Sequence, residues 1–165
     1  MIGILIVAHD PLASALLQCA SHIFGAHPPA CVALDVGPES DATNVEIEAQ
    51  RLATELDSGQ GVLVLTDLVG ATPSNAAAKL MRPGAMAVLS GTNLAMLLRA
   101  LTYRSDATLD ILVEKAIAGA IAGVMKLPPQ QLAEQSSTDR LEDPPSVSQP
   151  DGVATDAHSR LPHQK

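Results

Sequence analysis

Residues 2–12 read IGILIVAHDPL, a short and almost continuous aliphatic run that ends at a polar His-Asp-Pro. A run of this length without polar alternation predicts a strand buried on both faces of a parallel sheet, over Ile2 to Ala8. Three similar runs follow at Cys31 to Val36, Gly61 to Thr66 and Met86 to Ser90. The chain therefore carries four candidate parallel strands.

Between and after these strands, apolar residues recur with the helical period of three or four. Such segments predict helices over Leu12 to Phe24, Ala42 to Leu56, Leu94 to Leu101 and Leu109 to Val124, with a shorter one continuing through Ala76 to Leu80. Alternation of strand and helix implies right-handed crossovers and a mainly parallel sheet. We expect an α/β protein with a flavodoxin-like three-layer sandwich, in which helices cover both faces of the sheet.

The composition changes abruptly after residue 126. Pro, Ser and Gln dominate residues 127–165, and such a stretch cannot bury enough apolar surface to offset its ordering entropy. The preceding part is rich in aliphatic residues and can build a core. We expect one domain over residues 1–126 and a disordered Pro/Ser/Gln-rich tail over residues 127–165.

Charge and motif content exclude several classes of function. The formal net charge of -8 disfavours a nucleic-acid partner, because phosphate backbones are bound by Lys and Arg surfaces. No Cys/His cluster has metal-ligand spacing and no GxGxxG or P-loop is present, so we expect neither a metal nor another cofactor. The first residues lack the basic region of a signal peptide, and no apolar run is long enough to span a bilayer. We therefore expect a cytoplasmic protein with no membrane insertion.

Polar residues follow three of the strands at their carboxyl ends, where open parallel sheets bind their ligands. These residues are His9 and Asp10 after the first strand, residues 66–74 around the end of the third, and residues 90–93 after the fourth. Asp10-Pro11 resembles a helix N-cap followed by proline, and Thr72-Pro73 repeats the pattern. Both helix starts favour an anion.

His9 is the candidate nucleophile, because an exposed imidazole is largely neutral at cellular pH and attacks through its unprotonated nitrogen. Asp67 would accept a hydrogen bond from one ring nitrogen and thereby present the other to phosphorus. The Thr72 hydroxyl and the N–H groups of Gly70, Ala71 and Thr72 would hold the phosphoryl oxygens. The remaining candidates for lining the pocket are Asp10, Thr66, Ser74, Ser90, Thr92 and Asn93. Together they predict a phosphohistidine site that needs no metal.

The opening IGILIVAHDPLASALL resembles the start of mannose-type enzyme IIA domains of the phosphoenolpyruvate-dependent sugar phosphotransferase system. Residues 61–80, GVLVLTDLVGATPSNAAAKL, are similar to the second signature of that family, an Asp followed by a Gly-x-Thr/Ser-Pro-x-Asn turn. The helix start after LSGTN is similar as well. The resemblance covers about residues 1–126 and implies that His9 is the phosphohistidine, Asp67 its ring partner and Thr72 a phosphate-side hydrogen-bond donor.

The same resemblance implies the partners of this phosphotransferase component. They are HPr as phosphoryl donor, an enzyme IIB as acceptor, and a second copy of the chain in a homodimer. Residues 127–165 resemble a linker between IIA and IIB, yet no IIB sequence follows, so we expect the IIB on a separate chain. Where some relatives carry aromatic or additional Gly residues, this chain has Leu68, Val69 and Ala71, and partner recognition is expected to differ accordingly.

Other functions remain open beside a sugar-phosphotransferase carrier. The phosphocarrier subunit of a dihydroxyacetone kinase shares the fold and the histidine, although its loop after the third strand lacks the Gly-x-Thr-Pro-x-Asn turn. A regulatory module whose docking is switched by phosphorylation of His9 would use the same site, because phosphate adds roughly two negative charges. A receiver domain is disfavoured, because it needs an acidic pair for magnesium where this chain has His9-Asp10.

Overall fold

A computed structural model describes residues 1–127, and four parallel strands form its sheet. The strands are β1 (Gly3–His9), β2 (Cys31–Val36), β3 (Val62–Thr66) and β4 (Met86–Leu89). They lie in the order β2-β1-β3-β4, so the direction of winding reverses between β1 and β3. This order is that of flavodoxin-like folds, in which ligands bind beside the reversal point. The predicted fold class is confirmed.

Five helices connect and follow the strands. They are α1 (Leu12–Phe24), α2 (Ala42–Leu56), α3 (Thr72–Ala78), α4 (Leu94–Tyr103) and α5 (Leu109–Ala122). Buried residues of α1, α4 and α5 pack on one face of the sheet, and those of α2 and α3 pack on the other. The molecule therefore has the three layers that the alternating sequence predicts.

The alternation of side chains along β1 divides the core between these two faces. Ile4 and Ile6 pack in the cluster formed with α1, α4 and α5, whereas Leu5 and Val7 pack in the cluster formed with α2 and α3. All four side chains are fully buried. A strand covered on both sides has no place for polar residues, which explains why the run is continuously aliphatic.

Some element boundaries differ from the predicted ones by one or two residues. β1 extends through His9, which pairs in register with Val36 of β2. His9 is thus the last residue of a strand held by its neighbours, and not the first residue of a loop. Of the predicted tail, only Leu127 falls within the described residues. None of the helices in residues 1–127 has both the length and the apolar character that crossing a membrane requires.

Candidate functional site

The ends of β1 and β3 bring His9 and Asp67 together, because the two strands are parallel neighbours. Nδ1 of His9 lies 2.7 Å from Oδ2 of Asp67. A carboxylate can only accept, so Nδ1 carries the hydrogen and the lone pair is left on Nε2. The histidine side chain is 50% exposed and the carboxylate 14%. A partly buried partner therefore determines which nitrogen of an accessible ring carries the free lone pair.

Asp67 is itself fixed by backbone donors. Oδ2 also accepts the backbone N–H of His9 at 3.2 Å, and Oδ1 accepts the N–H of Leu68 at 2.9 Å. Partial burial pushes the pKa of Asp67 upward, but the hydrogen bonds from the His9 ring, from the His9 N–H and from the Leu68 N–H outweigh it. The net pKa of this carboxyl lies below its ordinary value, so it stays ionised beside the ring.

The turn after β4 holds the backbone on which Asp67 sits. The N–H of Gly91 donates to the Asp67 carbonyl at 2.9 Å, and the N–H of Thr92 donates to the Thr66 carbonyl at 3.0 Å. The Ser90 hydroxyl makes a longer contact, 3.4 Å, with the Asp67 carbonyl. Ser90 and Thr92 were expected to line the pocket, and the structure places both in this support beneath Asp67.

Asn93 connects the same turn to two helices. Its Oδ1 accepts the N–H of Met96 at 2.9 Å, which makes Asn93 the side-chain N-cap of α4. Its amide nitrogen donates to the carbonyl of Ala120 in α5 at 3.3 Å. Asn93 thus links the turn that contacts the Asp67 carbonyl to both α4 and α5.

The start of α1 differs from the prediction that Asp10 is its N-cap. The cap residue is Pro11, Asp10 makes no side-chain cap, and the helix begins at Leu12. The carboxylate that serves this helix end comes instead from β2, because Asp35 Oδ1 accepts the N–H of Ser14 at 3.1 Å. Asp10 is exposed and its own N–H donates to Val36. The anion that the α1 terminus favours is therefore supplied partly by the chain itself.

The start of α3 also lies one residue from its predicted place. Ala71 is the N-cap, Thr72 is the first helical residue, and no side chain caps this end, so the prediction that Thr72 is the cap is wrong. Ser74 closes the loop in its place, accepting the N–H of Gly70 at 2.9 Å and donating to the Ala71 carbonyl. Gly70 has a φ of 88°, a left-handed conformation that glycine adopts without strain.

The candidate phosphate-binding groups differ in whether they already have a hydrogen-bond partner within the chain. The Gly70 N–H is taken by Ser74, and the Ala71 N–H makes a long 3.4 Å contact with the Leu68 carbonyl. Thr72 is exposed, and within residues 1–127 its hydroxyl and N–H contact no hydrogen-bonding partner. It is the donor most available to an arriving group.

Two further threonine hydroxyls lie buried beside the site. Neither Thr66 Oγ1 nor Thr92 Oγ1 has a hydrogen-bond partner in the described part of the chain. Thr66 is only 1% exposed, so its hydroxyl lies under the surface and does not line an open pocket. It lies on the sheet face that carries α2 and α3, because it continues the alternation of Val62 and Val64.

Sequence reasoning missed one feature of this edge. Asp35 was treated as part of a buried strand, although it is the one charged residue in CVALDV, and that was the available signal. Leu68 and Val69, for which altered partner recognition is expected from the sequence, are 62% and 78% exposed beside Asp67. Large exposed apolar side chains of this kind are typical of a surface that contacts another molecule.

The arrangement supports nucleophilic chemistry at Nε2. As a new bond forms there, the ring gains positive charge, and the Asp67 carboxylate stabilises it through Nδ1–H. In residues 1–127 no three His, Cys, Asp or Glu side chains converge in a way that would hold a metal ion.

Comparison with known proteins agrees with the fold and with the motifs. Residues 3–117 match the family model EIIA-man, described as PTS system fructose IIA component. A search of curated proteins finds no match.

Several solved structures are similar. A phosphotransferase system component EIIA from Streptococcus agalactiae is 32% identical, with 76% of this chain and 97% of that chain covered and a TM-score of 0.69. A PTS IIA protein associated with the fucose utilization operon from Streptococcus pneumoniae is 28% identical, with 79% and 95% covered and a TM-score of 0.65. The mannose/sorbose specific IIA subunit from Enterococcus faecalis, 22% identical over 77% and 95%, shares the fold with a TM-score of 0.67.

The family model covers well over half of the chain and includes both strand ends that carry His9 and Asp67. The chain belongs to the EIIA-man family of phosphotransferase-system IIA components.

Proposed function

We propose that this protein is a phosphohistidine carrier, with residues 1–126 as the carrier unit, that accepts a phosphoryl group on His9 from phospho-HPr and passes it to an enzyme IIB. The observation that carries the proposal is the 2.7 Å contact between His9 Nδ1 and Asp67 Oδ2. It leaves Nε2 as the one ring nitrogen able to attack phosphorus.

The transfer proceeds as an exchange of one nitrogen–phosphorus bond for another. The Nε2 lone pair forms a bond to phosphorus while the bond from phosphorus to the donor ring breaks, and the donor nitrogen keeps that electron pair. Nδ1 retains its hydrogen throughout, so no proton has to move on this side. Asp67 stabilises the positive charge of the phosphorylated ring, and the reverse step delivers the phosphoryl group to the acceptor.

The phosphoryl oxygens need donors placed beyond the ring, away from the Asp67 carboxylate. Thr72 supplies a hydroxyl and an N–H at the same edge of the sheet, and we assign it the main role. The N–H groups of Gly70 and Ala71 contribute only if they exchange their contacts with Ser74 and Leu68 for the arriving oxygens. Donors of this kind stabilise the charge that spreads over the oxygens during transfer.

The rim of the site suits a protein partner with a basic and apolar surface. The loops at this edge carry the acidic residues Asp10, Glu39 and Asp41, and residues 9–11, 37–41, 67–71 and 90–93 include no Lys or Arg. The exposed Leu68 and Val69 add an apolar contact close to the ring. A donor presenting a phosphohistidine among basic residues would be attracted by the first feature and docked by the second.

The test is transfer of labelled phosphate from phosphoenolpyruvate through enzyme I and HPr to the purified full chain. We expect acid-labile, alkali-stable label that is lost in His9→Ala. The matched control is His22→Ala, since His22 is an exposed histidine in α1. Label that persists in His9→Ala would overturn the assignment of the residue.

A second stage tests what the carrier feeds. The phosphorylated protein is isolated and incubated with a IIB protein of the same family, and loss of its label to the IIB is followed with time. Transfer supports the carrier function. A stable label on His9 that moves to no IIB favours the regulatory module. Label that moves to the other subunits of a dihydroxyacetone kinase, but not to a IIB, favours the phosphocarrier subunit of that kinase.

A further inference from the structure

The edge of the sheet opposite His9 contains a cavity of about 250 Å³. It lies beside the amino-terminal ends of β1 and β2, where the Ile2 N–H donates to the Arg104 carbonyl. Phe24, His27, Pro28 and Arg104 are among the residues that line it. The His9 chemistry uses none of them.

Arg104 is the unusual member of this lining. It follows α4 as its C-terminal cap residue and is only 4% exposed. One guanidinium nitrogen, Nη1, donates to the Ala30 carbonyl at 3.1 Å. Within residues 1–127 no Asp or Glu lies within ion-pair distance of Arg104. A guanidinium has five N–H donors, and Ala30 accepts only one of them. None of the Arg104 side-chain nitrogens is both fully buried and without a partner, so the remaining donors can be reached from the cavity that Arg104 lines.

In the described part of the chain, no neighbouring group neutralises the charge of Arg104. Burial lowers the pKa of Arg104, and the negative charge of the nearby Cys31, which forms only at high pH as the thiolate, offsets that shift in part. Burial raises the pKa of Cys31 to about 11, although the positive charge of Arg104 acts against the rise, so the thiol is neutral at cellular pH. The carbonyls at the end of α4 contribute a partial negative potential, which is weaker than a counter-ion. A buried cation without a counter-ion is normally unstable in a folded protein.

The other walls of the cavity are apolar or aromatic. Phe24 is the single phenylalanine of the chain and is 48% exposed at the end of α1, and Pro28 is buried. His27 is exposed and adds one polar ring. Ala30, which accepts the bond from Arg104, has a φ of 48°, a left-handed conformation that is unfavourable for alanine. The contacts around the loop, including the bond from Arg104, therefore stabilise a backbone conformation that is unfavourable for Ala30 by itself.

We propose that Arg104 and the cavity beside it bind a carboxylate that carries a small apolar body. The planar guanidinium matches a carboxylate in a two-pronged hydrogen bond, which supplies the missing negative charge. The apolar body lies against Phe24 and Pro28, and the small volume excludes large ligands. The site is separate from His9 and does not depend on the proposed phosphoryl transfer.

The test is a titration of the isotope-labelled full chain with acetate and with benzoate, followed by NMR. We expect saturable shifts of the Arg104 Nε–Hε signal and of the Phe24 ring, with benzoate binding more tightly than acetate. Neither Arg104→Gln nor Arg104→Lys has an Nε–Hε signal, so the Phe24 ring reports on them. Its shifts should be abolished in Arg104→Gln and weakened in Arg104→Lys, which keeps the charge but loses the planar fork. Arg99→Gln in the same helix is the matched control, since Arg99 is exposed and lies near Tyr103.

Circular dichroism first establishes that each variant is folded. If Arg104→Gln does not fold, Phe24→Ala provides the second variant and should reduce the preference for benzoate over acetate. Shifts that do not saturate, or that persist equally in Arg104→Gln, would overturn the proposal and leave Arg104 as a support for the Ala30 loop alone.

The carboxylate has two conceivable sources, a free small molecule or an acidic side chain within residues 128–165. A variant in which Glu134, Asp139, Glu142, Asp143, Asp151 and Asp156 are changed to amides separates them. If the chain supplies the carboxylate, this variant shifts the Arg104 signal without added ligand and binds benzoate more tightly. If the source is free, its Arg104 signal and its benzoate affinity match those of the unchanged chain.

Discussion

The charged groups at the two ends of the parallel sheet differ in their exposure and in the number of their hydrogen-bond partners. At the carboxyl edge, the exposed His9 ring meets the Asp67 carboxylate at 2.7 Å, and three N–H donors surround that carboxylate. At the amino edge, Arg104 is buried and meets one carbonyl. The comparison teaches that the degree of burial does not describe a charged group fully. The number and charge of the neighbouring groups differ as well: Asp67 has several donors and a ring partner, whereas Arg104 has a single carbonyl.

At the carboxyl edge of the sheet, we expect the largest effect from Asp67→Asn, which removes the carboxylate beside His9. The amide can no longer stabilise a positive ring, and it does not enforce the hydrogen on Nδ1, so Nε2 loses its advantage as nucleophile. We expect the rate of phosphoryl transfer to His9 to fall on the order of 100-fold. Rapid-quench measurement of labelled protein checks this, with Asp106→Asn, an exposed aspartate at the other edge, as control. An unchanged rate in Asp67→Asn would contradict the role of the carboxylate.

A smaller effect at the same edge is expected from a substitution in the turn of residues 90–93, which contacts the backbone of Asp67. Asn93→Ala removes the N-cap of α4 and the link to Ala120, and should lower the free energy of unfolding by about 1 kcal/mol. Because Asp67 is held by this turn, the transfer rate should fall too, by roughly tenfold or less.

Asn93→Ser separates the two roles of this side chain. Serine retains an N-cap oxygen but is too short to reach Ala120, so stability should largely return. If the transfer rate of Asn93→Ser remains low, the link to α5 positions Asp67. If the rate recovers with stability, the cap alone accounts for the effect.

At the amino edge of the sheet, Arg104→Met tests how well the Arg104 charge is compensated. The substitution loses the bond to Ala30 but also removes a buried charge without a counter-ion, and the two effects oppose each other. We expect a loss of about 1 kcal/mol or less in the free energy of unfolding, measured by urea denaturation. A loss above about 3 kcal/mol would mean that Arg104 is fully paired in the folded chain.

The smallest expected effect is a pH dependence of the free energy of unfolding that arises from Asp67 at the carboxyl edge. The pKa of Asp67 in the folded protein lies below its ordinary value of 3.8, so the unfolded chain binds more protons there. Its contribution to stability is therefore complete above pH 3.8 and is lost as the pH falls through the folded value. Urea unfolding of the unchanged chain and of Asp67→Asn should give a difference that shrinks below pH 4. A difference that grows instead would reverse the sign of the shift.

The sequence predicted the parts of the molecule that depend on local periodicity. Continuous aliphatic runs identified all four strands, because a strand covered on both faces excludes polar residues. His9 and Asp67 could be paired in advance, because both end neighbouring parallel strands. The ring was also expected to be exposed, and only the contact distance and the extent of the exposure came from the structure.

The helix starts and the distant supports could not be predicted in the same way. Asp10 and Thr72 have the residue types of N-caps, but the cap positions are Pro11 and Ala71. Asp35 supplies a carboxylate to the start of α1 from a neighbouring strand, and Ser74 closes the loop before α3 by accepting the N–H of Gly70. Such contacts join residues that are far apart or offset in the chain, and local preference does not report them. The isolation of Arg104 is likewise a property of its surroundings, which a single sequence does not reveal.

The support that residues 90–93 give to Asp67 has a consequence for the order in which the protein is made. His9 leaves the ribosome near the beginning of synthesis and Asp67 midway, yet the N–H groups that hold the Asp67 carbonyl belong to residues translated later. A nascent chain arrested at Ser90 would contain both members of the pair without the turn that positions them. Competence for chemistry should therefore arise late during translation, only after α4 and α5 have emerged and docked.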